Sequence, residues 1–318
     1  MKRIAASVLA SVFLMGSLCA CSSGANDDSK KRIVTTIFPE YDWVMNILGD
    51  KADEFEVTLL MDNGTDLHSY QPSVDDLAKI YDCDIFIYVG GESDAWVEDA
   101  LELTDNKDRV SINLIDELGS AAVEEELVEG MTGEEEEENS AYDEHVWLSL
   151  RNARILCESI GEAISSVDPD NKDVYEANLA SYDSMLEELD LRYVEAVEDA
   201  QFDTLVFADR FPFRYMVEDY DLSYYAAFPG CSAETEASFE TIVFLSDRVD
   251  ELGVGALLTI DDDDRTIAQA VIENTTNGNQ QIVTLNSLQS VTTEEMNSGT
   301  TYLSVMNDNL LVLEEALN

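Results

Sequence analysis

Ile85-Phe86-Ile87-Tyr88-Val89-Gly90-Gly91 is the stretch whose reading decides the fold. The apolar run leaves no polar face for water. A strand with that pattern is covered on both sides, as strands of parallel sheets are. The glycine pair ends it at the point where loops of an α/β sheet form a binding rim. Moving outward, residues 55–61 are a second apolar run and residues 33–38 a third, both reading as strands. Helical spacing fills the gaps. Trp43, Val44, Ile47 and Leu48 mark a helix over 41–48, and Ser73 caps one over 74–81. Ser93 is read as the cap of a helix running from Trp96 to Leu103, and 110–115 closes the set.

The second half repeats this alternation. A helix over 151–166 is stopped by Pro169. The longest helical pattern follows, over 173–200, with Leu179, Tyr182, Leu186, Leu189, Tyr193 and Val197 spaced by threes and fours. At ~1.5 Å per residue it spans ~40 Å, enough to run across two lobes as a stiff spine. Strands are then expected over 205–207, 224–228, 256–260 and 282–285, with helices over 213–220, 239–252, 265–274 and 302–317.

The N-terminus reads as targeting sequence. Lys2 and Arg3 precede a short apolar stretch over 4–15, too short to span a bilayer comfortably. Leu18-Cys19-Ala20-Cys21 resembles a bacterial lipobox, which implies cleavage before Cys21 and lipid on its thiol. Residues 22–30 are small and polar and suit a tether. The expected organisation is therefore 1–21 signal peptide, 22–31 tether, 32–170 first lobe, 171–200 linking helix and 201–318 second lobe.

The chain carries 68 acidic against 17 basic residues, a net charge of −51. That excludes nucleic acid, whose phosphates need basic patches, and direct adhesion to anionic lipid. A hydrophobic content of 45% supplies a core, so this is not a disordered acidic chain. Much of the charge sits in a loop over 119–141, with Glu124, Glu125, Glu126, Glu129 and the run Glu134 to Glu138. Its plain reading is a solvated loop; its sharper one is a collector of cations beside a metal site. Beyond the lipobox the cysteines are Cys83, Cys157 and Cys231. They allow at most one disulfide, show no metal-ligand spacing, and read as small buried side chains.

Only two histidines occur, His68 and His145. Each follows shortly after acids, in Asp66-Leu67-His68-Ser69-Tyr70-Gln71-Pro72 and in Asp143-Glu144-His145-Val146-Trp147. A lone loop histidine is most often a hydrogen-bonded surface residue, and Tyr70 and Trp147 read as packing. The pair together resembles the two metal motifs, Asp-x-His-x-Tyr-x-Pro and His-Val-Trp, of the solute-binding lipoproteins of zinc and manganese ABC transporters. Tyr302, Leu303, Met306, Asn309, Leu310 and Leu313 are similar to that family's closing helix. The resemblance covers 32–317 and implies two four-stranded, mostly parallel α/β lobes joined by a rigid helix, with the metal in the cleft between them. It makes His68 and His145 ligands and Asp66 and Glu144 partners that orient the rings. The acidic loop stands where many members carry a His-rich insertion.

The chain departs from the family at the remaining ligands. Arg210 falls where a third ligand from the second lobe is expected, and a guanidinium cannot coordinate a metal. Asn286 falls at the fourth position. Neighbouring acids are the candidates to take over: Glu236 and Asp209 first, then Asp261, with Glu234 and the rest of the Asp261–Asp264 run behind them. The alternatives are a weaker site of two histidines and water, Arg210 binding a carboxylate ligand, or Arg210 forming an ion pair that closes the lobes. Asp264 also reads as a helix cap.

The expected function follows. A monomer, lipid-anchored on the extracytoplasmic face, captures Zn2+, with Mn2+ as the alternative ion, and delivers it to an ABC permease. The competing reading is a binding protein for an organic anion or metal chelate held by Arg210. A metal-dependent hydrolase is less supported, because the chain has no His-Glu-x-x-His, no Gly-x-Ser-x-Gly and no glycine-rich phosphate loop.

Overall fold

The structure is a computed structural model that describes residues 30–103, 106–132, 141–232, 236–261 and 265–318. Cys21, Glu234, the run Glu134 to Glu138 and Asp262 to Asp264 lie outside the described residues. Lys31–Asn318 forms one compact unit.

In the first lobe β1 (Lys31–Thr35), α1 (Phe38–Leu48), β2 (Phe55–Leu59), α2 (Val74–Asp82), β3 (Ile85–Tyr88), α3 (Trp96–Glu102) and β4 (Val110–Asn113) alternate. The short α4 (Leu114–Leu118), then α5 (Leu150–Val167) and the spine α6 (Lys172–Glu198), lead out of it. In the second lobe β5 (Thr204–Phe211), α7 (Arg214–Asp219), β6 (Ser223–Pro229), α8 (Phe239–Leu252), β7 (Ala256–Ile260), α9 (Thr266–Asn274) and β8 (Gln281–Leu285) alternate again. The chain ends with α10 (Thr293–Asn297) and α11 (Tyr302–Ala316).

Both sheets are four-stranded, ordered β2-β1-β3-β4 and β6-β5-β7-β8, and every pairing is parallel. The sequence explains why. Ile85, Phe86 and Ile87 are fully buried on both faces of β3, as an uninterrupted apolar run requires. In each sheet the chain moves first to one side of its starting strand and then to the other. That leaves a crevice outside the strand C-termini where the direction reverses. The loops that matter leave those ends.

The spine is 27 residues long, ~40 Å at ~1.5 Å per residue. Tyr175, Tyr182, Leu186, Leu189 and Tyr193 form its buried stripe. Tyr193 Oη donates to Met306 O on α11 at 2.6 Å, and Asn178 Nδ2 donates to Ile47 O on α1 at 3.0 Å, so the spine is held at both lobes. Further bonds cross between the halves. Trp147 Nε1 donates to Ser287 O at 2.8 Å, Thr293 N to Asp62 O at 2.9 Å, and Tyr302 Oη to Trp147 O at 2.7 Å. Trp147 is fully buried and packs as its sequence reading expected.

Candidate metal centre

His68 stands on a 3-10 turn, Leu67–Ser69, in the loop after β2. Asp66 caps that turn: its Oδ1 accepts the backbone N–H of His68 at 2.9 Å. The aspartate read as a ring partner therefore sets the backbone under the ring, while its Oδ2 receives Arg210 Nη2 at 3.3 Å from the other lobe.

The ring of His68 is braced by other residues. Ser93 Oγ lies 2.8 Å from its Nδ1. Glu144 Oε2 lies 3.4 Å from the same nitrogen and is buried without a hydrogen bond. Glu144 Oε1 accepts Ser93 N–H at 2.8 Å. Burial pushes the Glu144 carboxyl up, but His68 and Ser93 outweigh it and hold it below the ordinary carboxylate value. Contrary to the expectation from sequence, Ser93 does not cap α3. The residue before that helix is Ala95, without a side-chain cap, and the Ser93 hydroxyl serves the histidine instead. Gly91 permits this arrangement. Its φ is +77°, and a Cβ there would run into the Glu144 carboxylate.

His145 is fully buried. Asp143 Oδ1 accepts both its backbone N–H at 2.8 Å and its Nδ1–H at 2.9 Å. Burial works against a charged ring, but Asp143, with Glu144 and Glu125, outweighs it and raises the pKa above the ordinary histidine value. The sequence reading did not name Asp143. Its signal was present: an acid two residues before a histidine can bond backbone and ring together.

Asp143 assigns a ring proton of His145 to Nδ1, and the Nε2 atoms of the two rings face each other at 3.2 Å. Two imidazole nitrogens bound to one tetrahedral zinc at ~2.0–2.1 Å sit about 3.4 Å apart. The pair is already at that spacing. Oxygen is also close. Gln289 is buried, and when its amide nitrogen donates to both Asp66 oxygens at 3.2 and 3.3 Å, its Oε1 accepts at 3.1 Å from His145 Nε2 whenever that ring carries both protons. A third residue, Cys231, stands in the turn after β6. Its Sγ and the two histidines form one group whose ligand atoms all lie within 4.8 Å of one another. Burial, then Glu125, Asp143 and Glu144, push its thiol far up. Sequence reasoning had set Cys231 aside with Cys83 and Cys157. Those two are buried elsewhere, and all three are free.

The other acids proposed from sequence are placed differently. Asp209 Oδ1 accepts Arg210 N–H at 2.8 Å and Oδ2 accepts Ile260 N–H at 3.1 Å. Asp261 accepts from Ser287 N and Oγ at 2.8 and 2.7 Å. Asn286 Oδ1 accepts from Leu288 N at 2.8 Å. Glu236 is exposed. None of them joins the histidine group among the described residues. Arg210 makes the interlobe ion pair with Asp66.

The acidic loop is less free than its plain reading. Its described part bonds to the second lobe: Cys231 N donates to Glu125 Oε1 at 2.9 Å, Arg214 pairs with Glu126 at 2.9 Å, and Thr132 N donates to Ala227 O at 2.8 Å.

The family model described as zinc-uptake complex component A, periplasmic (ZnuA), matches residues 33–316. The chain belongs to this family. It is a family of solute-binding proteins, not enzymes. The zinc-binding lipoprotein AdcA of Streptococcus pneumoniae is 33% identical over 310 residues, covering 95% of this chain and 60% of AdcA. The chain thus spans about 60% of the length of that relative. The high-affinity zinc uptake system protein ZnuA of Bacillus subtilis is 28% identical over 316 residues, covering 98% of this chain and 96% of that protein. The Zn(II)-bound ZnuA-like domain of S. pneumoniae AdcA superposes with a TM-score of 0.71 at 30% identity, covering 91% of this chain and 99% of that one.

Proposed function

We propose that this ZnuA-family protein captures a divalent transition metal between His68 and His145, zinc in preference to manganese, and hands it to an ABC permease for import. One observation carries the reading. Two imidazole nitrogens face each other at 3.2 Å, each backed by a carboxylate on its far side. Two neutral rings with their lone pairs opposed repel, and a proton or a metal ion between them removes the repulsion. Imidazole donors suit zinc, and the relatives' names and the Zn(II)-bound domain agree with that ion. Gln289 supports the site as a neutral oxygen beside it.

The lipobox motif and the lipoprotein relatives support anchoring through Cys21 on the extracytoplasmic face. No described helix is long and apolar enough to cross a membrane. Arg210 is engaged by Asp66, so no observation favours the organic-anion reading.

The test is calorimetric titration of metal-stripped protein with zinc and with manganese, beside His68→Ala and His145→Ala. A single tight zinc ion per chain, lost in each variant, is the expected result. Several weak ions, unchanged by either substitution, would place binding on the acidic surface and sink the reading.

A further inference from the structure

We propose that Cys231 Sγ is the third ligand of the metal held by His68 and His145, and that this sulfur tunes the site to thiophilic ions such as Zn2+ and Cd2+ over Mn2+. The inference rests on the metal reading above.

The second lobe delivers this sulfur through a specific turn. Strand β6 ends at Pro229, and Gly230 lies flush against the His145 ring. A Cβ at Gly230 would stand 2.9 Å from His145 Cε1 and 2.9 Å from Phe211 O. Only a glycine lets the backbone come so near, and that approach sets the next side chain beside the imidazole. The turn is then pinned, because Cys231 N–H donates to Glu125 Oε1 at 2.9 Å from the first-lobe loop.

The competing donors leave the position to sulfur. Asp209 and Asp261 spend their oxygens on backbone and Ser287 groups. Arg210 offers no lone pair and pairs with Asp66. Among the described residues, the histidines and Cys231 are the group of histidine, cysteine or carboxylate donors within mutual reach. Cys231 is in no disulfide, so its sulfur is available.

The geometry needs only a small closure. A tetrahedral zinc holds a nitrogen and a sulfur ligand about 3.5 Å apart, from bonds of ~2.1 and ~2.3 Å. The group's atoms lie within 4.8 Å, so a side-chain rotation on the order of 1 Å suffices. Binding replaces the thiol proton by metal, Cys–SH plus M2+ giving Cys–S–M+ and a proton released to solvent. The remaining positive charge faces Asp143 and Glu144, which back the two rings. Thiolate is a soft donor that favours zinc and cadmium, whereas manganese favours oxygen.

Cobalt loading of the metal-stripped protein gives a direct readout. The wild-type protein is expected to show a near-ultraviolet sulfur-to-cobalt charge-transfer band, absent in Cys231→Ser, while that variant keeps the visible bands of histidine-bound cobalt. In chelator competition, Cys231→Ser and Cys231→Ala should lose about tenfold or more in zinc affinity with little change for manganese. Zinc should protect Cys231 from iodoacetamide in the wild type but not in His68→Ala. Cobalt bound by the wild type without a sulfur band, with equal zinc affinity in wild type and Cys231→Ser, would overturn the proposal and leave the histidine reading standing. Failure of the wild type to bind any ion tightly would overturn both.

Discussion

Asp143→Asn isolates what holds His145 ready. The carboxylate is buried, and its Oδ1 accepts both the backbone N–H and the ring Nδ1–H of His145 at 2.8 and 2.9 Å. Asparagine keeps an oxygen of the same shape but removes the charge. A hydrogen bond to a charged partner contributes ~1.5–3 kcal/mol and a neutral one ~1 kcal/mol, so the loss is ~1–2 kcal/mol. Zinc affinity at neutral pH should therefore fall roughly 5- to 30-fold, in line with the ~10–100-fold typical when a partner that orients a metal-bound histidine is lost.

The pH dependence carries the sharper signature. Asp143 is the first group that raises the His145 pKa against its burial. In the wild type, protons compete with zinc as pH falls through a value above the ordinary 6.5. Removing the charge leaves burial dominant, so His145 in the variant holds its proton less tightly. The deficit should thus narrow on acidification. The assay is zinc titration of stripped protein against a competing chelator, from about pH 5.5 to pH 8. A variant within about threefold of wild type throughout would remove Asp143 from the site's design. A deficit that widens with acid would refute the charge argument.

Two further substitutions test the scaffold. Gly230→Ala forces a Cβ to 2.9 Å from both Phe211 O and the His145 ring, which should cost ~1–3 kcal/mol, lower the Tm of the metal-free protein by several degrees and weaken zinc binding. An unchanged Tm would show that this turn yields freely. Glu40, fully buried below Thr36 N–H at 2.7 Å, is pushed up to about 8, first by burial and then by Asp94. A raised carboxyl contributes stability below its unfolded value of 4.5 and loses it as pH rises through 8. Glu40→Gln lacks that loss. Its stability relative to wild type should rise by up to roughly 4 kcal/mol between pH 5 and pH 8, and parallel stability–pH curves would disprove a neutral Glu40.

The elements were legible where their cause is local. Ile85, Phe86 and Ile87 announced a doubly covered strand because no polar side chain interrupts them. The apolar spacing along α6 announced the spine for the same kind of reason. Ser93 shows the limit of that reasoning. A serine shortly before a helical pattern satisfies every local rule for a cap, yet its hydroxyl goes to a ring 25 residues away in the chain. The plain reading of the acidic loop is incomplete in its described part, 119–132. Like charges predict solvation, but Glu125 and Glu126 bind Cys231 and Arg214 across the fold.

The two histidines were visible as candidates because they are rare and lie in recognisable motifs. Their meeting was legible only through the family resemblance and not from the residues themselves, since 77 residues separate atoms that stand 3.2 Å apart. Periodicity reports which face of an element is buried, and that is a property of a few neighbouring residues. Strand order decides which loops share a rim, and no short stretch encodes it. Cys231 and Gln289 illustrate the difference. Neither has a spacing that marks it as a donor, and both are brought to His145 by turns leaving the C-terminal ends of β6 and β8. The one-dimensional pattern thus settled that this chain builds parallel α/β lobes around a spine and supplies two imidazoles. Which sulfur and amide surround those rings, and which ring each carboxylate serves, was decided only when parallel pairing brought the strand ends of both lobes together.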